Sequence, residues 1–433
     1  MLRVIDITRV VIKYRLDEYL ARFSQAKFLN MSGKITRKLF NVKQVDGTFP
    51  VRVKLALEEL GPVFVKFGQI LSTRQDALPE SLIKELKKLR DDVQPFDTDT
   101  AIKIIEQELG ADILDIFESF PNKPHASASV AQVYFATLKT GEEVAVKILR
   151  PNIKQTIIND LELFSTLAGL ISAYRSKLKI INLKGILAEI KLSMIGELDL
   201  TLEAQNAIKF AENFKDIPYV HVPKIYSEFT TRNVLVMERM YGFPVDDILE
   251  IEKRKLNLTE VVTRGIELNL LQIFKYGFFH ADQHTGNVWL SDDGGRVYLD
   301  FGIMGTLKKD DKVLLAKTMV FLFTKNFKEL VEIQLAAGWF NASLDKQVLE
   351  KTYKSIGNAM IDKSQKDYSI VSMFSQILAE GEKNGLVVPI EFTLLIKNLL
   401  IIEGVSKKLD PSINLRKVGE NLIMKHFKSW FVK

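Results

Sequence analysis

Two short runs near position 290 place carboxylates and an amide in a pattern that can do chemistry: His280-Ala281-Asp282-Gln283-His284-Thr285-Gly286-Asn287, then Asp300-Phe301-Gly302. Asn287 and Asp300 offer hard oxygen atoms, the ligand type that Mg²⁺ prefers when it bridges phosphates. Asp282, five positions before Asn287, is a candidate to orient or deprotonate an acceptor. That division of labour suits phosphoryl transfer from a magnesium nucleotide, where catalysis is mostly positioning and charge neutralisation. A lone Asp-Phe-Gly is a weak signal. Both runs in order, separated by one hairpin-sized interval, are a much stronger one, because the Asp-x4-Asn interval and Asp-Phe-Gly are the kinase catalytic-loop and metal motifs.

Such a site needs elements to position it: a strand lysine for the phosphates and a helical glutamate to hold that lysine. Val144-Ala145-Val146-Lys147-Ile148 is a β-branched run after the turn signal Thr140-Gly141-Glu142, so it reads as the second strand of a hairpin. Lys147 falls where the nucleotide lysine belongs. Downstream, Glu197-Leu198-Asp199-Leu200-Thr201-Leu202-Glu203-Ala204 offers three carboxylates on helix-favouring sequence. Glu197 and Asp199, two apart, would point to different faces of a helix. Asn233 to Glu238 reads as a strand and Met240-Tyr241-Gly242 as a hinge, so backbone groups near Glu238 and Met240 are candidates to pair with adenine.

A glycine-rich phosphate lid is missing. In its place stands Ala126-Ser127-Ala128-Ser129-Val130-Ala131-Gln132-Val133-Tyr134, with Ala128, Ser129 and Val130 at the expected turn. Small side chains still allow close approach to phosphate, but alanine restricts the backbone more than glycine does. Upstream, Leu60-Gly61-Pro62-Val63-Phe64-Val65-Lys66-Phe67-Gly68-Gln69 is followed by Ser72-Thr73-Arg74 and Leu78-Pro79. Together with Glu403-Gly404 and Leu409-Asp410-Pro411 near the end, these runs resemble the UbiB-type atypical kinases, a family tied to ubiquinone and other isoprenoid lipids. The resemblance covers roughly residues 50 to 412.

The resemblance implies that Lys147 and Glu203 form the ion pair, Asp282 is the catalytic-loop aspartate, and Asn287 and Asp300 hold the metal. It also implies that Lys66, Gln69, Glu197 and Asp199 belong to an insert that distinguishes this family from protein kinases and covers the cleft where a protein substrate would dock. Without it, Lys66 and Gln69, within one helical turn, would read as solvated. His280 is expected to brace the loop rather than move protons, and His284 to be structural. The family loop reads His-x-Asp-Pro-His-Pro-Gly-Asn, whereas Gln283 and Thr285 replace both prolines here. The metal chemistry survives that change, but the loop loses two backbone restraints.

Composition suits a protein of two or three packed units: 433 residues, 47% hydrophobic and 26% charged, with no cysteine. No cysteine means no disulfide, thiolate metal site or thiol nucleophile, which fits a reducing, cytoplasmic setting. The start, with Arg3, Asp6 and Arg9, lacks the continuous apolar core of a signal peptide. The longest apolar runs, Leu163 to Tyr174 and Leu394 to Ile402, fall short of the roughly 18 to 20 residues that span a bilayer. Residues 1 to 54 carry twelve Lys or Arg against four Asp or Glu, a balance of +8 in a chain whose total is +6. There Val4, Ile5, Ile7, Val11, Ile12, Leu16, Tyr19 and Leu20 recur at roughly helical spacing beside Arg3, Arg9, Lys13 and Arg15. That face could lie on an anionic membrane or pack on the protein. The tail repeats the theme with Phe427, Trp430 and Phe431 among Lys425, Lys428 and Lys433. No recognisable DNA or RNA module accompanies the basic surface, so nucleic acid is not an expected partner.

The expected fold is α+β: a protein-kinase-like, two-lobed, mostly helical architecture with a family-specific amino-terminal helical insert. Residues 1–54 should form a basic amphipathic helical segment, 55–125 the insert, 126–240 the small lobe, 241–412 the large lobe, and 413–433 a basic aromatic helix. Strands are expected at Val288–Leu290 and Val297–Leu299, around the turn Asp292–Gly295. The expected function is an atypical kinase or ATPase using ATP and Mg²⁺ at a membrane surface in the synthesis of a quinone or other prenyl lipid, with lipid-biosynthesis enzymes as possible partners. An alternative is a nucleotide-gated lipid-binding or scaffold module with little turnover. A conventional Ser/Thr kinase is disfavoured, since no Ala-Pro-Glu follows Asp300.

Overall fold

The computed structural model describes residues 2–16, 45–72, 78–89, 94–174, 194–339, 345–361 and 389–413, with a few isolated positions besides. Thr73, Arg74, Tyr19, Leu20 and the tail aromatics Phe427, Trp430 and Phe431 lie outside the described residues. The chain divides into two compact units: Met1–Thr201 with Tyr226–Glu238, and Leu202–Ile225 with Arg239–Lys433.

The first unit opens with α1 (Leu2–Lys13), α2 (Phe49–Leu60), α3 (Pro62–Ser72) and α4 (Glu80–Leu86). Helix α2 runs across position 54, where a boundary was expected, because its apolar positions continue to Leu60. Gly61, at φ 102°, ends α2, and Pro62 starts α3 at a position where a missing N–H costs nothing. Within α3, Gly68 is required by space: a Cβ there would lie 2.4 Å from Leu89 Cδ1 and 2.7 Å from Leu57 Cδ1. Glycine therefore lets α2 and the segment after α4 close on the helix that carries Lys66 and Gln69.

On α1, Val10 and Ile12 are buried, as is Tyr14 just after it, while Val4 and Ile5 are exposed. The Arg3 guanidinium reaches Asp160 through Nε (2.6 Å) and Nη2 (2.7 Å), and Asp160 is fully buried. Lys13 pairs with Glu59 at 2.6 Å. Two of the four basic residues expected to face a membrane are thus held by protein carboxylates. In α1, packing on the protein accounts for the buried part of the apolar face.

The same unit holds α5 (Thr98–Leu109), α6 (Ile113–Ile116), α7 (Ile153–Tyr174) and a five-stranded antiparallel sheet. Its strands are β1 (Phe117–Ser119), β2 (Ala126–Ser127), β3 (Ala131–Leu138), β4 (Glu143–Leu149) and β6 (Val234–Glu238), in the order β1-β3-β4-β6 with β2 also on β3. The sheet recruits Phe117–Ser119 from a stretch expected to be helical. Phe117 is buried in the sheet's own core, and a three-residue strand is too short for periodicity to reveal. Val144, Val146 and Ile148 face that core with Ala101 and Ile105 of α5. Alternation puts Lys147 on the opposite face, in register with Val133 and Leu235.

In the second unit, α8 (Leu200–Phe214, entered from the first unit) leads to β5 (Val220–His221). After β7 (Phe243–Pro244) and α9 (Ile248–Lys253), α10 (Leu258–Leu270) continues into a π-helical turn, Leu271–Tyr276. Gly277, left-handed at φ 61°, ends that turn and starts β8 (Phe278–His280). Strands β9 (Val288–Leu290) and β10 (Arg296–Tyr298) form the expected hairpin, with the second strand one residue earlier than predicted. Flanked by β5 and β7, they make a four-stranded sheet, while β11 (Met304–Thr306) pairs with β8. Helices α11 (Lys309–Phe323), α12 (Phe327–Ala336), α13 (Lys346–Ile361) and α14 (Ile390–Leu409) follow. Phe210, Phe279, Tyr298, Phe301, Tyr353, Phe392 and Leu395 share one core. Among the described residues no helix is long and apolar enough to cross a membrane.

Candidate active site

Strand β8 delivers His280 into the core, and this buried imidazole ties the two motif runs together. Its Nδ1 accepts the Asp282 backbone N–H at 3.1 Å, so its Nε2 must carry the proton and donate to the Asp300 carbonyl oxygen at 2.5 Å. Burial holds the His280 pKa below its ordinary value, against the opposing pull of Asp300 and Asp282. The neutral ring is therefore the brace. Asn287 Nδ2 donates to the Asp282 carbonyl oxygen at 3.1 Å, which makes Oδ1 the atom of this amide that could coordinate a cation. Asp300 Oδ1 accepts the Gly302 N–H at 2.9 Å, fixing the carboxylate. Asp282, Asn287 and Asp300 are thus set by one set of bonds.

The donor set fits magnesium. Among the described residues no three His, Cys, Asp or Glu side chains cluster as a self-sufficient metal cage. One carboxylate and one amide oxygen are what a Mg²⁺ that keeps water and phosphate ligands requires.

A buried amide stands where the first of the missing prolines would be. Gln283, only 6% exposed, donates through Nε2 to Asn269 Oδ1 at 2.7 Å, with longer contacts of 3.4 Å to Gln272 Oε1 and the His280 carbonyl oxygen. Gln272, in the π-helical turn, accepts the His280 N–H at 2.9 Å and donates to the Tyr298 hydroxyl at 3.2 Å. Asn398 of α14 donates to the same Asn269 oxygen at 3.3 Å. At position 283 hydrogen bonds to Asn269 and Gln272 stand in for the restraint of proline, and Asn398 in turn fixes Asn269. Sequence reasoning missed Asn269, Gln272 and Asn398, whose only signal is an amide at an otherwise apolar helical position.

A second omission is Lys397 of α14, whose Nζ lies 3.0 Å from Asp282 Oδ1. His284 Nε2 stands 3.9 Å from Asp282 Oδ2, and its Nδ1 accepts the Gly286 N–H, a turn-forming role.

Most of the remaining candidates lie in the first unit. The lid is a tight hairpin in which the Ala128 N–H donates to the Ala131 carbonyl oxygen at 2.8 Å; Ala128 is exposed, Ser129 and Val130 buried. Arg150 pins it, donating through Nε to the Ala128 carbonyl oxygen (2.9 Å) and through Nη2 to Ser127 Oγ (2.6 Å). Lys147 is half-buried on β4, Glu238 is exposed at the end of β6, and Met240 is half-buried in the second unit. Glu203 is buried on α8, also in the second unit.

Lys66 Nζ meets Glu197 Oε1 at 3.4 Å, with 16% and 26% of the side chains exposed, so the surface reading of Lys66 does not hold. Gln69 Nε2 donates to the Leu89 carbonyl oxygen at 3.4 Å. The expected helix through 197–204 is broken: Glu197 lies in a turn, and Asp199 caps α8 by accepting from Thr201 N (3.1 Å) and Thr201 Oγ1 (2.5 Å). Aspartate competes for backbone N–H groups and so starts helices better than it continues them. Asp199 also meets Arg232 at 3.5 Å.

Comparison with known proteins identifies the family. A family model described as the ABC1 atypical kinase-like domain matches residues 88–334, and one described as the UbiB helical domain matches residues 353–414. The chain belongs to the UbiB family of atypical kinase-like proteins. Among its relatives, a probable protein kinase UbiB of Pseudomonas fluorescens is 35% identical over 418 residues, covering 95% of this chain and 78% of that one. One of Marinobacter nauticus is 38% identical over 368 residues, covering 84% and 67%. The solved structure of Rv3197 with erythromycin, from Mycobacterium tuberculosis, aligns at a TM-score of 0.56 and 23% identity, covering 91% of this chain and 98% of that one. The fold is therefore kinase-like α+β, and the protein is kinase-like. Within this chain, His280 to Asn287 and Asp300 fall in the first matched region, and Lys397 and Asn398 in the second.

Proposed function

We propose that this UbiB-family chain binds magnesium ATP and transfers or hydrolyses the terminal phosphoryl group in support of quinone or other prenyl-lipid synthesis. One observation carries the reading: the neutral His280 imidazole binds the backbone of both Asp282 and Asp300, while Asn287 is bonded to Asp282. Two motifs that could have been unrelated turns are one constellation. Asn287 and Asp300 would hold Mg²⁺, which when bound neutralises phosphate charge. Asp282 positions an acceptor, water or a hydroxyl, and takes its proton. Lys147 steadies the phosphates, with Glu203 in the supporting role that the family implies. Backbone at Ala128, Ser129 and Val130 covers the phosphates, and backbone near Glu238 and Met240 receives adenine.

The lipid assignment rests on the family and is this proposal's finer part. A peripheral contact with an anionic membrane would use what α1 leaves open, Val4 and Ile5 with Arg9, rather than Arg3 and Lys13. A second reading, a nucleotide-gated lipid-binding module with little turnover, is favoured by the lid, whose hairpin is pinned by Arg150.

Thermal-shift titration tests the core claim, since a ligand that binds only the native state raises the melting temperature. Wild type should show a magnesium-dependent shift with ATP that Asp300→Asn loses. An equal shift in both proteins overturns the metal assignment. Phosphate release, with and without vesicles containing prenyl lipid, separates turnover from gating.

A further inference from the structure

The loop from Asp282 to Asn287 contains no lysine or arginine: Gln283, His284, Thr285 and Gly286 lie between them. A cation stands there all the same, supplied by Lys397 at 3.0 Å from Asp282 Oδ1. We propose that Lys397 is a catalytic residue of the phosphoryl-transfer site, the cation that recognises the terminal phosphate of a nucleoside triphosphate. This rests on the nucleotide-binding reading given above.

Three observations carry it. First, among the described residues Asp282 is the ammonium's one partner, and the lysine side chain is 37% exposed against 14% for Asp282. An ammonium has three N–H donors, so two remain for a ligand's oxygens. Second, α14 is locked in rotation by its neighbours. Phe392, Leu395 and Ile396 sit in the core, and Asn398, fully buried, donates to Asn269 Oδ1, the same oxygen that receives Gln283. Consecutive residues thus anchor the helix and present the charge at one loop. Third, a lysine serving only a surface ion pair would contribute about 0–1 kcal/mol and would not need a buried anchor beside it. Asp282 and Asn287 are bonded to each other, so a cation on Asp282 adjoins the residues proposed to hold metal and acceptor. The position is where negative charge on a transferring phosphoryl group needs compensation.

The full-length chain, as wild type, Lys397→Met and Lys397→Arg, should be titrated calorimetrically with magnesium AMP-PNP and magnesium ADP. Lys397→Met should weaken the triphosphate analogue about tenfold, the worth of one charge-assisted hydrogen bond, and leave ADP within about twofold. Lys397→Arg should keep most of the preference. Lys397→Gln, which retains an N–H for Asp282, should lose it as Lys397→Met does and serves if the methionine variant is unstable. Equal weakening of both nucleotides, or no change, overturns the assignment. Tighter triphosphate binding in Lys397→Met also overturns it and makes the lysine a plug on Asp282. If wild type binds neither nucleotide, the nucleotide reading itself falls. If wild type binds both and the preference is unmoved, only Lys397 is misassigned.

Discussion

The motifs of the first unit are held by charges, and the Asp282–Asn287 loop of the second by neutral amides and a neutral imidazole. Arg3–Asp160, Lys66–Glu197, Asp199–Arg232 and Arg150 over the lid organise the amino-terminal half. Around the loop the partners are Asn269, Gln272, Gln283, His280 and Asn398, four of them 5% exposed or less and Gln283 at 6%. The difference has a physical consequence. Ion pairs open to water, such as Arg232–Asp199 with its 75% exposed arginine, exchange with it and weaken with salt, whereas the buried Asp160 depends on Arg3. Buried amides have no water to fall back on, so each lost partner leaves an unsatisfied group. The Asp282–Asn287 loop is held by the bonds that tolerate least movement, and Lys397 brings a charge to it at Asp282.

Arg3→Ala should have the largest effect, because it strands the fully buried Asp160 carboxylate. Breaking a buried pair from one side costs about 3–5 kcal/mol. Urea unfolding should show it, and a loss below about 1 kcal/mol would mean that Asp160 finds another partner or water. Next comes Gln272→Ala, which frees the His280 N–H and the Tyr298 hydroxyl inside the protein. It should lower stability by about 1–3 kcal/mol and leave the salt dependence unchanged, whereas Arg3→Ala should alter it.

The pH dependence sharpens the same contrast. His280 has a folded pKa below its unfolded value because burial disfavours the charged ring. Its neutral form is compatible with the fold, so the unfolded chain binds the proton more readily as pH falls through about 6.5. Stability should decline below that pH, and His280→Gln should flatten the decline; an unchanged profile would place the titration elsewhere. The smallest effect is expected for Lys66→Ala, about 1 kcal/mol or less, since its partner Glu197 keeps some access to water. A double-mutant cycle with Glu197→Gln should return a coupling that shrinks at high salt. A zero coupling would return Lys66 to the surface.

Much of the site was legible because kinase-like chemistry constrains short intervals. Asp282 to Asn287 and Asp300 to Gly302 are spacings within one turn, and Lys147 follows from alternation along a β-branched strand. The strands at 144–148, 234–238 and 288–290 were readable for the same reason. Carboxylates at 197 and 199 were misread as helical, since the pattern shows helix-favouring residues but not which one will take a capping geometry. The short strand at Phe117 and the continuation of α2 past 54 depend on tertiary contacts that local periodicity does not record.

By itself, the sequence determined the family, the kinase-like fold class and the order and spacing of the motif residues on their local elements. Tertiary structure alone decided how those residues are held. Lys397 and Asn398 reach the loop from a helix far downstream, Arg3 reaches Asp160 across most of the first unit, and Gln283 does by hydrogen bonding what proline does by covalent restraint. Local spacing is written into the chain by backbone geometry. Long-range partners are chosen only when the folded core brings distant polar groups out of water and obliges them to find one another.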